Sequence, residues 1–202
     1  MRTRFFLAIF AMVIVVVSSN ILVQFPLQAK IANIDLSQIL TWGAFTYPIA
    51  FLVTDLTNKY FGANDARKVA LIGFAIAVIW SIFLASPRIA IASGSAFLIA
   101  QFLDISIFNR LRSFSWWLAP FISSFIGSII DTILFFGLAF AAPFAFLDIW
   151  FGNENSSLPF PTPFLSVGAD VPLWTSLAVG DFIIKILVAL LLLIPYWFFK
   201  KK

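Results

Sequence analysis

Mostly apolar segments of about 20 residues, with continuous apolar runs inside them, restrict the folds that this chain can adopt. Phe5–Val17 contains no polar residue, and Ile186–Ile194 is equally apolar. Because these runs are continuous rather than alternating, they predict transmembrane helices and an all-α, polytopic membrane protein. The six predicted spans are Phe5–Val23, Ile39–Thr57, Val69–Ala85, Ile89–Phe108, Trp116–Phe140 and Leu173–Phe199.

The composition leaves no room for a separate soluble domain. The 202 residues are 62% hydrophobic and 11% charged, whereas soluble domains average about 45–50% apolar and about 25% charged residues. We therefore expect one transmembrane domain over residues 1–202, embedded in a lipid bilayer. The chain has no cysteine and no histidine, which excludes disulfides, thiolate nucleophiles, imidazole bases and metal sites built from these ligands. No cofactor and no nucleic-acid partner are expected.

The distribution of lysine and arginine predicts the orientation of the spans. With the N-terminus in the cytoplasm, two basic residues, Lys30 and Arg88, fall in outer loops, and Lys185 falls inside the sixth span. The inner segments then hold ten: Arg2, Arg4, Lys59, Arg67, Lys68, Arg110, Arg112, Lys200, Lys201 and Lys202. Cytoplasmic loops carry the excess of positive charge in membrane proteins. The pattern therefore predicts that both termini are cytoplasmic.

The first run has a second interpretation, because Arg2 and Arg4 followed by an apolar stretch also suit a secretory signal peptide. We expect an uncleaved span.

The outer segment 143–172 differs from the other loops. It contains five prolines, three acids and no lysine or arginine. The stretch "LPFPTPF" disfavours a helix, because proline lacks the amide donor. The segment is either a plain external loop or a lid over the outer mouth, and its aromatic residues would suit the membrane interface.

Polar residues inside the spans are the candidates for substrate binding, because burying a charge in the bilayer costs about 2.5–3.5 kcal/mol on insertion scales. A rise of about 1.5 Å per residue places several of them between the midplane and the outer third. Asp181 and Lys185 are four residues apart and can pair, either as a self-neutralising pair or as one that opens to a ligand. The predicted substrate-binding residues are Asn20, Gln24, Trp42, Phe45, Gln101, Asp131, Asp181 and Lys185.

A second polar layer is predicted at the cytoplasmic edge. Asp55, Asp104 and Arg110 lie there at similar depth, and opposite charges could pair across helices when the inner side closes. We expect these three to form an inner gate. The alternative is that they anchor helix ends by extending their charges toward the interface.

Pro48 interrupts the second predicted span. Broken helices are common at transporter sites, but a tolerated kink is an equal alternative.

Five segments resemble the bacterial queuosine-precursor transporter family, a vitamin-uptake-transporter-like family. They are "NILVQFP", "TWGAFTYPIAFLVTDLTNKYFG", "RIAIASGSAFLIAQFLDISIFNRLR", "WWLAPFISSFIGSIIDTILFF" and "DFIIKILVALLLLIPYW". The resemblance implies a six-span importer in the bacterial inner membrane. Its implied substrates are 7-deazaguanines, namely 7-cyano-7-deazaguanine, its aminomethyl form or queuine.

Such a substrate suggests roles for the polar residues. A carboxylate of Asp131 or Asp181 could accept the N1–H and the exocyclic amine of a guanine-like edge. Trp42 or Phe45 could stack on the flat ring. The remaining edges would be read by the amides of Asn20 and Gln24, and Lys185 would tune the carboxylates.

Two other classes stay open, as does a homo-oligomer. A substrate-binding subunit of an energy-coupling vitamin transporter has a similar length, but it needs an ATPase partner because this chain has no P-loop. An intramembrane aspartyl protease needs two facing carboxylates. For that class, "AVGD" at Ala178–Asp181 is one glycine short of the Gly-x-Gly-Asp pattern.

Overall fold

A computed structural model of the protein describes residues 2–31, 34–84 and 86–199, and eight α-helices account for most of them. Residues 36–38, 142–144 and 164–166 form short 3₁₀ turns. The helices are α1 (Arg2–Leu22), α2 (Gly43–Thr46), α3 (Ile49–Phe61), α4 (Ala63–Leu84), α5 (Pro87–Leu111), α6 (Leu118–Phe140), α7 (Phe146–Trp150) and α8 (Leu173–Phe199). The strands are β1 (Lys30–Ile31), β2 (Ile34–Asp35), β3 (Pro161–Pro163) and β4 (Asp170–Pro172).

Five helices in the described ranges are long and apolar enough to cross a membrane, namely α1, α4, α5, α6 and α8. Large apolar side chains on them face outward, such as Phe83 at 79% exposure and Leu191 at 63%, as expected of helices that contact lipid. The protein is therefore a multi-pass, all-α membrane protein. Five of the predicted spans correspond to these helices, with shifted ends; Ala85, the predicted end of the third span, lies outside the described residues.

The predicted second span, Ile39–Thr57, is not one helix. The four-residue helix α2 ends at Thr46, and α3 begins at Ile49. Pro48 has no amide hydrogen to donate, so the regular bonding is interrupted there. The amide of Ala50 donates to the Tyr47 carbonyl at 3.0 Å, a tighter 3₁₀-type bond. Tyr47 and Pro48 keep helical backbone angles, so the break between α2 and α3 is a local change in hydrogen bonding.

Helix α3 connects to α4 through the single residue Gly62. Its φ of 90° lies in the region that a side chain disfavours, and its amide donates to the Asn58 carbonyl at 2.9 Å. This corner ends α3 and lets α4 return along the bundle.

Helix α5 is central and packs along α4 and α6. Its small residues Ala92, Ala96 and Ala100 are buried, at 0–1% exposure, as the packing interpretation of such a stripe expects. A side chain at Gly127 of α6 would lie 3.0 Å from the Phe51 ring of α3. Glycine therefore allows α3 and α6 to approach each other closely.

The outer segment 143–172 is folded against the helices. Strands β3 and β4 pair antiparallel, with Thr162 opposite Val171. Arg88, counted above among the loop cations, is fully buried near the start of α5. Its guanidinium donates to Asp148 at 2.8 Å and to Ser157 at 3.0 Å.

Arg88 also donates to the Leu138 carbonyl at 2.8 Å and to the Ala141 carbonyl at 2.6 Å. It therefore links α5, the end of α6 and the start of the outer segment, and these bonds compensate the cost of burying its charge.

Candidate functional site

The ammonium of Lys185 lies at the centre of a buried ionic network. It contacts Asp131 Oδ2 at 2.7 Å and also forms an ion pair with Asp181, one helical turn earlier on α8. The Thr132 hydroxyl lies 3.4 Å from Lys185 and donates to Asp181 Oδ2 at 3.1 Å. Two carboxylates from different helices thus share one cation.

Tyr47, at the break between α2 and α3, completes this network. Its hydroxyl donates to Asp131 Oδ1 at 2.6 Å, and the Lys185 ammonium lies 5.1 Å from its ring centroid, within cation–π range. Phe51 and Phe97 pack edge-on against the ring, each at 6.1 Å between centroids. These two aromatic contacts restrict the ring and so fix the position of its hydroxyl.

The two carboxylates differ in how fully they are engaged. Asp131 is bonded at both oxygens, and its side chain is 5% exposed. The bonds that Asp181 makes within the described residues end on Oδ2, and its side chain is 15% exposed. Asp181 is therefore the carboxylate that retains more capacity to accept hydrogen bonds from a ligand.

A cavity of about 600 Å³ borders this network, within the range of about 300–1,000 Å³ typical of small-molecule sites. It extends from Gln24 and Ser86, at helix ends, to Asp131 and Lys185, near the middles of α6 and α8. Its apolar lining includes Val16, Phe97, Phe135, Phe136 and Phe140, and its polar lining includes Ser19, Asn20, Ser81, Ser93 and Thr41. Such a chamber can hold a flat, polar-edged molecule.

Two of the predicted amides line this cavity. Asn20 donates to the Val16 carbonyl at 2.9 Å and accepts from the Ser81 hydroxyl at 3.2 Å. Gln24 is exposed near the end of α1. With Asp131, Asp181 and Lys185, they are the predicted site residues that the structure brings together.

The other three predicted site residues lie elsewhere. Trp42 and Phe45 pack against each other with ring centroids 5.9 Å apart, and both are outside the set of described residues that line the cavity. Gln101 is fully buried and accepts from the Thr54 hydroxyl at 2.8 Å, which places it in a separate polar layer.

The sequence does not predict Tyr47 or Thr132 as site residues, although both contact the network. Tyr47 directly precedes Pro48, and interrupted helices are common at transporter binding sites. Its position next to Pro48 is therefore the sequence feature that could indicate Tyr47. Thr132 follows Asp131, but adjacent positions on a helix point in different directions, so its role depends on how α6 is rotated against α8.

The separate polar layer contains two of the three predicted gate residues. Asp55 of α3 and Asp104 of α5 are 2% and 0% exposed. The Ser123 hydroxyl of α6 lies 3.5 Å from Asp55 Oδ1. Arg110 is exposed and forms no ion pair with either acid within the described ranges.

Comparison with known proteins identifies the family. A family model described as "Putative vitamin uptake transporter" matches residues 41–86 and 80–199, which is most of the chain. This chain belongs to that family. The resemblance seen in the sequence is thereby confirmed, and the matched ranges contain Tyr47, Asp131, Asp181 and Lys185.

Curated relatives of this vitamin uptake transporter family member carry a more specific name. The "Queuosine precursor transporter" of Escherichia coli (strain K12) is 33% identical over 97% of this chain and 85% of its own length. The "Probable queuosine precursor transporter" of Haemophilus influenzae is 32% identical over 91% of this chain and 80% of its own length. No solved structure matches the chain significantly.

Proposed function

We propose that this protein is a secondary transporter that imports 7-deazaguanine precursors of queuosine across the bacterial inner membrane. The names of the E. coli and H. influenzae relatives support this substrate class and a transporter rather than an enzyme. The observation that carries the proposal is the Lys185 network beside a membrane-embedded cavity. Its proposed substrates are 7-cyano-7-deazaguanine, the aminomethyl form and queuine.

The proposed topology has six crossings with both termini in the cytoplasm. Helices α2 and α3 together would form the second crossing, broken at Pro48, and residues 1–202 would form one transmembrane domain. The cavity then faces the outer side, because its lining includes the last turn of α1 and the first turn of α5.

Recognition of the substrate is proposed to begin at a carboxylate. Asp181 would accept the N1–H and the exocyclic amine of the deazaguanine, since both protons point the same way from the ring. Asp131 would be the alternative acceptor, but Tyr47 and Lys185 already bond its two oxygens. Lys185 would hold both carboxylates in position.

The remaining edges of the ring would be read by amides and aromatic side chains. Asn20 and Gln24 line the cavity and could bond O6 and the other polar edge atoms. Phe97 and Phe136 also line it and offer faces for stacking. Trp42 and Phe45 would contact the substrate only as it enters, because they pack against each other and are outside the cavity lining.

Asp55, Asp104 and Arg110 are proposed as parts of the inner gate. The buried acids lie in the layer between the cavity and the opposite end of the bundle. Beyond them, Phe108 and Tyr196 pack edge-on at 6.3 Å between ring centroids. Arg110 is exposed and pairs with neither acid in the described ranges, so the pairing expected for a closed inner side is not seen at this residue.

Aspartyl protease chemistry is not supported by this geometry. The Lys185 ammonium lies between the carboxylates of Asp131 and Asp181. It occupies the place that the shared proton of a catalytic carboxylate pair would need.

The proposal is tested by uptake of the three labelled deazaguanines into liposomes that contain only this protein. We expect saturable uptake without ATP and mutual competition among the three compounds. Asp181→Asn should raise the half-saturating concentration at least about ten-fold, because a bond to a charged group contributes about 1.5–3 kcal/mol. Asp170→Asn, at an exposed acid of β4, is the matched control.

Two results would contradict the proposal. Uptake that requires an added ATPase partner would favour an energy-coupling subunit. Unchanged affinity in both Asp131→Asn and Asp181→Asn would remove the carboxylates from recognition.

A further inference from the structure

A second pair of buried carboxylates lies outside the Lys185 network. Asp55 on α3 and Asp104 on α5 are neighbours that interact electrostatically, and they are 2% and 0% exposed. Neither takes part in an ion pair with any residue that the structure describes. Two carboxylates in such surroundings cannot both carry an uncompensated charge.

Two hydrogen bonds between α3 and α5 flank the pair. Thr54 donates to Gln101 Oε1 at 2.8 Å on one side. On the other side, Asn58 Nδ2 donates to the Ile105 carbonyl at 2.9 Å. These contacts hold the two helices together at the level of Asp55 and Asp104, so the pair is part of a defined site.

Polar atoms without partners are concentrated at this site. Asn58 Oδ1, Gln101 Nε2 and both oxygens of Asp104 are buried and lack a hydrogen-bond partner among the described residues. Ser123 and Asp55 are the groups that act on the Asp104 carboxyl. Buried polar atoms are paired in about 90% or more of cases, so a bound ion, a proton or a water would complete the bonding at this site. Three of the four atoms are acceptors, which calls for a cation or a proton.

The charged and titratable groups around the pair do not supply that cation. On α8, Tyr196 lies within electrostatic range of Asp55 and also of Arg112. On α3, the Lys59 ammonium lies 5.2 Å from the Tyr196 ring centroid.

The other neighbouring helices face the site with uncharged residues. Helix α6 contributes Ser123. Helix α4 packs Ala66 and Ala70 against Ile105, while Lys68 near its start is 63% exposed and pairs with Asp65.

We propose that Asp55 and Asp104 bind one monovalent cation, a proton or Na⁺, and that this cation drives transport. Asn58 Oδ1 and the Ser123 hydroxyl would complete the set of oxygen ligands, and Gln101 Nε2 would donate to a carboxylate. The driving role rests on the proposed transport function, whereas cation binding does not.

Helix α3 connects this site with the Lys185 network. Phe51, one turn before Asp55, packs against Tyr47, whose hydroxyl bonds Asp131. A change in the charge of the pair can therefore alter the packing of α3 between the two sites, and substrate binding can alter the pair in return.

The driving role is tested in proteoliposomes with an imposed gradient of pH or of Na⁺. We expect one gradient to drive accumulation of deazaguanine in the wild type. In Asp104→Asn and Asp55→Asn, the ratio of uptake with the gradient to uptake without it should fall at least about ten-fold, because this ratio measures coupling to the ion separately from any change in the gate. Asp65→Asn, at the surface acid of α4, is the control. Normal gradient-driven accumulation in both variants overturns the driving role.

Cation binding is tested on the purified protein without substrate. A protonated buried carboxyl has an infrared band that ionised carboxylates lack, and a Na⁺ site gives Na⁺-dependent thermal stabilisation. The infrared band would identify the bound cation as a proton, and the thermal stabilisation would identify it as Na⁺. In either case Asp104→Asn should remove the observed signal.

If neither signal is present in the wild type, the proposed cation site is wrong. This outcome is measured on the wild type alone, so it does not depend on whether any variant folds. If a signal is present but no deazaguanine is transported, the cation site stands and the proposed function fails.

Discussion

At the scale of single residues, Lys185 determines the state of the proposed substrate site. Its ammonium is within 2.7 Å of Asp131, and it also pairs with Asp181. A buried ion pair adds little net stability, but removing one partner is costly because the other charge stays buried. Lys185 therefore keeps two acids inside the bundle, where one of them can meet a ligand.

Replacing Lys185 with methionine should destabilise the protein by about 3–5 kcal/mol, because two buried carboxylates lose their cation. Thermal unfolding in detergent measures this change. The triple variant Lys185→Met, Asp131→Asn, Asp181→Asn should regain most of the stability but not uptake. An unchanged melting temperature in the single variant would contradict the compensating role of Lys185.

Part of this arrangement could be predicted from the sequence. The spacing of four residues between Asp181 and Lys185 predicts their ion pair, and the structure confirms it. The sequence also places Asp131 at a membrane depth similar to that of Asp181 and Lys185. Its bond to Lys185, however, depends on how α6 and α8 are rotated. Asp104 and Arg110 are similar in depth, but six residues at roughly 100° each turn Arg110 away from Asp104.

At the scale of elements, the break between α2 and α3 brings Tyr47 to the network. Its position depends on Pro48, which leaves the Tyr47 carbonyl bonded to Ala50 in a tighter turn. In an unbroken helix the same residues would rotate relative to α6 and α8. The break is therefore part of the geometry of the site.

Pro48→Ala should reduce uptake more than stability. Alanine restores an amide donor and favours a regular helix, so the melting temperature should hold or rise while Tyr47 loses its alignment with Asp131. Pro195→Ala, at the proline inside α8, is the matched control for removing a proline from a helix. Wild-type uptake in Pro48→Ala would show that the break is a tolerated kink.

The outer segment depends on Arg88 and Asp148. Burial opposes ionisation of Asp148, but hydrogen bonds from Ser156 and the ion pair with Arg88 outweigh it, so the pKa of its carboxyl lies below its usual range. This stabilisation is present above the unfolded pKa of about 3.9 and is lost as the pH falls through the lower folded value.

A spin label at Glu154→Cys, in a chain without native cysteine, should therefore become mobile on acidification. Asp148→Asn should already be mobile at neutral pH. A label that stays rigid in Asp148→Asn would mean that the ion pair does not hold the segment.

The helices can be predicted where the length of an apolar run determines them. Prediction is poorer where hydrogen bonds and packing determine the structure. Five spans follow from runs long enough to cross the bilayer. The break could not be derived, because proline can kink a membrane helix or interrupt it, and packing decides which. The fold of segment 143–172 depends on contacts to Arg88, 60 to 69 residues away along the chain, which no local pattern reveals.

At the scale of the whole molecule, two chambers lie on opposite sides of the Asp55–Asp104 layer. The cavity of about 600 Å³ contains the Lys185 network. A second cavity of about 550 Å³ is lined by Lys59, Arg112 and Trp116 at the other end of the bundle. Transport requires that the layer between them opens while the first chamber closes.

The orientation of these chambers is tested by thiol labelling with a membrane-impermeant reagent. Ser93→Cys lines the first cavity and Ser115→Cys lines the second. We expect Ser93→Cys to react in intact cells and Ser115→Cys only in inside-out vesicles. The cysteine-free wild type provides the background. The reverse pattern would overturn the predicted placement of both termini in the cytoplasm.

If the proposed substrate site is right, the charge of the network around Lys185 also has a consequence for which purines can enter. Two carboxylates and one ammonium sum to a formal charge of −2 + 1 = −1. Charge of one sign on a low-dielectric wall attracts the opposite sign and repels its own. A neutral base or an aminomethyl cation can approach such a wall, whereas the phosphate of a nucleotide is repelled. Free guanine should therefore compete for uptake where guanosine monophosphate does not, and the protein would admit nucleobases while excluding nucleotides.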